Sequence, residues 1–391
     1  MTDRVRLLAL LITYTCAGAA CVNNVDVGDP ERLPFDPDVS VPGASQDPIE
    51  DTREDSPGAD ADVAPDASAD DAGMADAASK ATGGFVFSAY KDTSINMDWN
   101  TNTISTLVPG TRTPLADDMS AVGAGAVTLA FATGECGSEN WGGVPGAALA
   151  QVNVPLLVAA DIDYIISTGG AAGSFRCGSD AGFATFLNRW LSPNLVGVDF
   201  DIEAGQSEAD ILELVRRIDT SHDLHPGLRF SLTIATLGNT DGGESLNIKG
   251  LETLQAVETV FGDVPSFVTI NLMTMDYGAP SPFVCVVEGG TCDMGQSAIQ
   301  AALNLNANHG IPFANIELTP MIGGNDVQSN VFHPADVNTM ASFVNSNGLA
   351  GVHWWSYDRD VDCPPGPASP VCNSLGGVGP HGFLQRFQSA F

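Results

Sequence analysis

Basic residues are scarce in this chain. Its 391 residues include 15 Lys and Arg against 48 Asp and Glu, a formal net charge of −33. A surface of that sign repels phosphate backbones and anionic headgroups, which argues against nucleic acid and anionic membranes as partners. No P-loop, nucleophile elbow or Ser-His-Asp spacing occurs, and no G-x-G-x-x-G follows the first strand candidate. Nucleotide, dinucleotide and serine-hydrolase chemistry thus have no carrier. No C-x-x-C pair or neighbouring His supports zinc, and no EF-hand spacing supports calcium. No metal and no cofactor are expected. The 6 histidines are scattered, and His353, on a strand candidate, suits a satisfied core position.

The N-terminus reads as a targeting segment over residues 1–20. Arg4 and Arg6 supply the positive end, Leu7 to Tyr14 the apolar run, and Ala17-Gly18-Ala19-Ala20 a small-residue cleavage zone. The run is too short to span a bilayer as a stable helix. Two processing routes fit. Signal peptidase would cut after Ala19 and release a secreted protein. Alternatively, Cys21 is the lipidated Cys of a surface lipoprotein, with Gly18 where a lipobox usually has Leu. The second is favoured, because the segment after Cys21 looks like a tether and Cys21 has no obvious disulfide partner. Residues 21–82 are rich in Asp, Ala and Pro, with almost no aromatics and no helical period. Such a segment cannot bury enough apolar surface to offset its ordering entropy, and its charges extend it. A disordered spacer is expected there.

From Gly83 the composition changes. Apolar strand candidates recur at Phe85–Tyr90, Ala126–Thr133, Tyr164–Thr168, Leu195–Glu203, Leu228–Thr236, Phe267–Met275, Ile316–Met321 and Ala350–Tyr357. Helical stretches lie between most of them, clearest at Ala181–Leu191, Glu208–Thr220, Leu251–Phe261, Gly295–His309 and Ala335–Asn347. This alternation predicts a (β/α)8 TIM barrel over residues 83–391, preceded by the disordered segment, with a doubly wound sheet as the alternative. In a barrel the site forms where the strands end.

The fourth candidate carries the chemistry. In Gly197-Val198-Asp199-Phe200-Asp201-Ile202-Glu203 the side chains alternate faces, so Val198, Phe200 and Ile202 face helices while Asp199, Asp201 and Glu203 share the other side. Neighbouring carboxylates stand about 7 Å apart. Three like charges on one buried face repel, so at least one proton is shared or retained at neutral pH, as a general acid requires. On spacing alone, calcium or magnesium ligation is an equal reading.

The longer pattern resembles the D-G-x-D-x-D-x-E signature of glycoside hydrolase family 18, the chitinase family, in the wording of its plant class III and bacterial branches. Val196 stands where that signature has its first Asp. Further motifs appear in order over roughly residues 84–391. Ser167-Thr168-Gly169-Gly170 resembles the family's S-x-G-G. Asn271-Leu272-Met273-Thr274-Met275-Asp276-Tyr277 resembles its M-x-Y/M-D-Y. Thr319 to Asp326 and Leu129-Ala130-Phe131-Ala132 with Asn140-Trp141-Gly142-Gly143 resemble bacterial members, and Trp354-Trp355-Ser356-Tyr357-Asp358-Arg359-Asp360 resembles the W-S-x-x-R-D end.

The resemblance implies hydrolysis of β-1,4-linked N-acetylglucosamine polymers, chitin and chitooligosaccharides, with retention and with the substrate's own 2-acetamido oxygen as nucleophile. Glu203 is then the general acid and base. Asp201 orients the acetamido N–H, Asp199 trades a hydrogen bond or proton with Asp201, and Tyr277 donates its hydroxyl to the acetamido oxygen. Trp355 floors the sugar site. Asp276 and Asn271 bind substrate or support the site from behind, and Met273, Gly170 and Tyr90 count among the residues lining it. Trp141 is either a loop anchor or a platform for a sugar ring. The alternatives are an endo-β-N-acetylglucosaminidase acting on N-glycans and a catalytically weak, lectin-like chitin-binding surface protein, toward which only Val196 leans. A monomer is expected, attached to a membrane only through a lipidated Cys21. The interval between the seventh and eighth strands is short, so no α+β insertion and a shallow groove are expected.

Six cysteines remain beyond residue 21. In an exported chain an even count suggests disulfides. Cys285 with Cys292 and Cys363 with Cys372 are near neighbours, which leaves Cys136 with Cys177; all three pairs fall in strand-to-helix loops.

Overall fold

The computed structural model describes residues 84–391, Ala204 excepted. The targeting segment, Cys21 and the Asp/Ala/Pro-rich segment lie outside the described residues. Eight parallel strands close into a barrel. They are β1 (Val86–Asp92), β2 (Ala126–Ala132), β3 (Asp163–Gly169), β4 (Leu195–Ile202), β5 (Arg229–Ala235), β6 (Val268–Met273), β7 (Ile316–Thr319) and β8 (Gly351–Trp354). Each pairs with its sequence neighbours, and β1 closes the ring against β8 through Val86 to Ala89 opposite Gly351 to Trp354. Helices α1 (Leu115–Val122), α2 (Gly146–Ala159), α3 (Asp180–Asn188), α4 (Glu208–Leu224), α5 (Ile248–Phe261), α6 (Met294–His309), α7 (Pro334–Asn347) and α8 (Gly382–Ala390) come after the strands in turn. The architecture is the expected (β/α)8 barrel, not a doubly wound sheet.

The alternation read in β4 sets the layers. Val198, Phe200 and Ile202 are buried against the helices, with Phe183 of α3 stacked on Phe200 at 6.0 Å and Ile211, Leu214, Val215 and Ile218 supplying the stripe of α4. That helix starts right after the site. Ser207 Oγ accepts the Asp210 N–H (3.2 Å) and Asp210 accepts the Ser207 N–H (2.8 Å), a reciprocal cap for two otherwise orphaned donors.

Two differences from the sequence reading have local causes. The eighth strand ends at Trp354 rather than Tyr357. Beyond it, Tyr357 turns to donate to Asp118 (2.7 Å), and Asp358 meets the buried Lys91 ammonium at 2.6 Å. Helix α2 had no apolar stripe to read: it is apolar on nearly every side and carries Pro155 within it. The β7–α7 interval holds only a two-residue strand pair, Gly323–Gly324 with Val331–Phe332, so the expected absence of an α+β insertion holds among the described residues. All three disulfides form as expected: Cys136–Cys177, Cys285–Cys292 and Cys363–Cys372.

Candidate active site

Asp199 and Asp201 point into the barrel near the C-terminal end of β4, and Glu203 lies just past it at the mouth. Asp199 is 1 % exposed. Its Oδ2 accepts from Ser167 Oγ (2.6 Å) and Tyr90 OH (2.9 Å), and its Oδ1 from Ser231 Oγ (2.7 Å) and Thr233 Oγ1 (2.6 Å). Behind these, Asn271 Nδ2 donates to Tyr90 OH (3.0 Å) and Thr233 Oγ1 (2.8 Å), and its Oδ1 accepts from Thr319 Oγ1 (2.7 Å). Every polar group of this cluster has a partner.

Asp201 differs. It is buried, and its Oδ1 has no hydrogen-bond partner. Burial first, then the charges of Glu203 and Asp199, push its carboxyl well above the ordinary range. Glu203 is raised too, mainly by burial, against the opposing N–H of Ala171 and with Asp276 and Asp326 adding repulsion. Tyr277 is buried and its hydroxyl, like that of Thr274 beside it, lacks a well-formed partner; burial drives it far above the usual phenol range. Thus Asp201 and Tyr277 keep open polar valences inside the site.

The floor is aromatic. Trp355 stacks on Phe131 (5.6 Å between centroids, 21° between planes), and both are partly exposed. Phe131 lies on β2 within Leu129-Ala130-Phe131-Ala132, where nothing local marks it as a floor residue. Met273 is partly exposed at the end of β6. Asp276 adopts a left-handed backbone (φ 51°), and its Oδ1 accepts the Val327 N–H at 2.8 Å, which ties the β6 and β7 loops together. Its carboxyl is raised by burial, with exposed Asp326 adding to the effect.

Four expectations need correction. Trp141 is fully buried and packs on Trp190 at 5.1 Å, so it anchors its loop and offers no face to a ring. Tyr90 is 3 % exposed with its hydroxyl spent on Asp199 and Asn271, so it supports the carboxylates instead of lining the groove. Asn271 is likewise wholly buried, which rules out its substrate-binding option. No hydrogen bond joins Asp199 to Asp201 among the described residues, because hydroxyl donors fill both Asp199 oxygens. Gly170 serves through its backbone: at φ 80°, a Cβ there would meet the Phe131 ring at 3.1 Å. Its neighbour Gly169 (φ 90°) allows even closer packing, since a Cβ would lie 2.2 Å from the Asp201 carbonyl oxygen. Val196 sits at a register shift between Leu195 and Gly197, near the base of β4 and far from Glu203.

Sequence reasoning missed Ser231, Thr233 and Thr319. The signal was available: Arg229, Ser231 and Thr233 alternate with Phe230, Leu232 and Ile234 on β5, the same polar-inward pattern as β4.

No family model matches the chain. Two curated proteins do align with it. A probable bifunctional chitinase/lysozyme of Escherichia coli is 27% identical over 220 residues, 51% of this chain and 23% of that protein. Endochitinase 11 of Metarhizium anisopliae is 27% identical over 230 residues, 54% of this chain and 41% of that protein. The chain is similar in sequence to these two chitinases. The aligned stretch spans well under half the length of either curated relative. Among solved structures, the catalytic domain of a hyperthermophilic chitinase from Pyrococcus furiosus superposes with a TM-score of 0.60 at 22% identity, covering 79% of this chain and 95% of that one. A catalytic-site mutant of active domain 2 of the Pyrococcus furiosus chitinase, complexed with chito-oligosaccharides, gives the same TM-score of 0.60 at 22% identity, over 80% of this chain and 96% of that one. These superpositions carry the fold.

Proposed function

We propose that this chitinase relative hydrolyses chitin and chitooligosaccharides with retention, using the substrate's acetamido group as nucleophile. The observation that carries the reading is the pairing of Asp201 with Glu203: two carboxyls of raised pKa at the end of β4, one with a buried open acceptor. Glu203 at the mouth gives its proton to the glycosidic oxygen and then recovers one from water. Asp201 Oδ1 accepts the acetamido N–H, which turns the acetamido oxygen toward the anomeric carbon. Tyr277 OH donates to that oxygen as charge develops. Trp355 and Phe131 supply the apolar floor on which the sugar's C–H face stacks. The mechanism accepts only glycosides bearing an N-acetyl group beside the scissile bond.

The test compares the parent with Glu203→Gln on soluble chitooligosaccharides, following product anomers. Cleavage giving the β-anomer, lost in the variant, supports the reading; binding without cleavage by the parent points to a lectin. Export and lipidation at Cys21 belong to the same proposal. The mass of the mature N-terminus, with or without a diacylglycerol, decides between the two processing routes.

A further inference from the structure

We propose that Asn325 and Asn330 are positioning residues that clamp the backbone on either side of Tyr277 and so aim its hydroxyl at the substrate's acetamido oxygen. The inference rests on the hydrolase reading above and deepens it.

Tyr277 is buried and its hydroxyl has no well-formed partner. Nothing at the far end of the ring fixes where that hydroxyl points, so the aim has to come from the backbone end. That end sits in an unusual turn. Asp276 before it is left-handed at φ 51°, which is uncommon for a residue with a side chain, and Gly278 after it lies at φ 104°. Two amides from the loop after β7 hold this turn from both sides. Asn325 Oδ1 accepts the Asp276 N–H (3.3 Å), and Asn330 Nδ2 donates to the Gly278 carbonyl (3.1 Å). Both asparagines are buried. The Asn325 N–H donates to the Asn330 carbonyl (3.0 Å), which joins the two halves of the clamp. A side-chain amide suits both tasks, since it accepts at one end and donates at the other. Asn325 uses both ends: its Nδ2 donates to the carbonyls of Met321 (2.9 Å) and Gly323 (3.1 Å), which fixes the direction of the amide.

The loop that carries the clamp is anchored without it. Arg359 Nη2 donates to the carbonyls of Ile322 (2.9 Å) and Gly324, and the Gly324 N–H donates to the Asn373 carbonyl (2.9 Å). The same stem holds the floor. The Ile322 N–H donates to the Trp355 carbonyl and the Trp355 N–H to the Pro320 carbonyl, each at 2.9 Å. One loop thus sets the spacing between the floor under the sugar and the hydroxyl beside its acetamido group. Removing either clamp amide leaves the floor in place and loosens the turn. The hydroxyl stands a full ring's length from the backbone, so a small rotation there becomes a large displacement at the reacting atoms. An error of about 1 Å in such a contact costs up to about 10²-fold in rate.

The experiment uses Asn325→Ala and Asn330→Ala, each alone and each combined with Tyr277→Phe. Steady-state kcat and KM are measured on soluble chitooligosaccharides, and 19F spectra are recorded with 3-fluorotyrosine at position 277. Each Ala variant should lose about tenfold or more in kcat, with KM changed by no more than about twofold. In the Tyr277→Phe background the same substitutions should change kcat by no more than about twofold, because the hydroxyl they serve is gone. The 19F line, single in the parent, should broaden or split in each Ala variant. Equal losses in both backgrounds overturn the proposal, since a general structural role acts with or without the hydroxyl. So does a loss carried by KM, or an unchanged 19F line. If Asn325→Ala does not fold, Asn330→Ala carries the test, because its amide serves Gly278 and no carbonyl of its own loop. If the parent cleaves nothing, the hydrolase reading fails, and the 19F line alone decides whether the clamp holds Tyr277.

Discussion

Toward the base of the barrel, Arg229 on β5 faces Glu317 on β7 in a buried ion pair. Thr269 donates to Glu317 Oε2 at 3.0 Å, and His353 Nε2 lies 3.4 Å from the same oxygen, while its Nδ1 meets Ser88 Oγ at 2.6 Å. Burial holds His353 down to about 3, so the ring is neutral and one cation balances one anion. Toward the mouth, Asp199, Asp201 and Glu203 succeed one another with no cation paired to them among the described residues, and Asp201 and Tyr277 keep polar atoms with no partner there. The same closed sheet thus carries a matched polar layer and an unmatched one. A matched layer resists change because removing one member strands another. An unmatched layer is costly to fold around but leaves valences free for a substrate.

The comparison can be broken at either end. The largest effect is expected at the mouth: Glu203→Gln should reduce kcat by about 10³-fold or more, the order of a lost general acid, with the melting temperature little changed. A melting temperature that falls as steeply as activity would erase the distinction. Next, Glu317→Ala should cost about 3–5 kcal/mol in denaturant unfolding, because it leaves the Arg229 guanidinium buried and alone. A loss below about 1 kcal/mol would show that the base layer is not a matched unit.

The third test uses pH. The Asp201 carboxyl is raised above its ordinary 3.8, so the fold holds a proton that the unfolded chain releases. Its stabilising contribution is therefore present below about pH 4 and is lost as pH rises through the folded value, at up to about 1.4 kcal/mol per pH unit. Glu203 and Asp276, also raised, act in the same direction. Asp201→Asn should flatten this decline, read as unfolding free energy against pH. A parent whose stability climbs from about pH 4 to 8 would contradict the sign. The smallest effect is at the cap after the site: Ser207→Ala should cost about 1 kcal/mol without altering the pH profile of activity.

Much of this was legible in the chain itself. The alternation of Val198, Phe200 and Ile202 against Asp199, Asp201 and Glu203 placed the carboxylates on one face, because a strand's period of two leaves no other choice. Apolar runs at regular spacing announced eight strands, and near-neighbour cysteines announced their pairs. Helix α2 was opaque because its sequence is apolar on nearly every side, so the stripe that is in fact buried, Gly146, Leu149, Ala150, Asn153 and Leu157, does not stand out. Trp141 was ambiguous because a loop tryptophan reads the same whether it is buried or exposed; only Trp190, from another part of the chain, settles it.

The division is physical. The sequence by itself determined which residues alternate inward on each strand, and hence that three carboxylates of one strand gather at one mouth; these depend on local periodicity. Only the tertiary structure decided which of them is satisfied. The donors that close Asp199 come from four separate strands, β1, β3 and β5 directly and β6 from behind, and closure of the barrel is what brings each within 3.0 Å of the group it serves. The unpartnered oxygen of Asp201 is the other half of that result, since none of the described strands sends a donor to meet it.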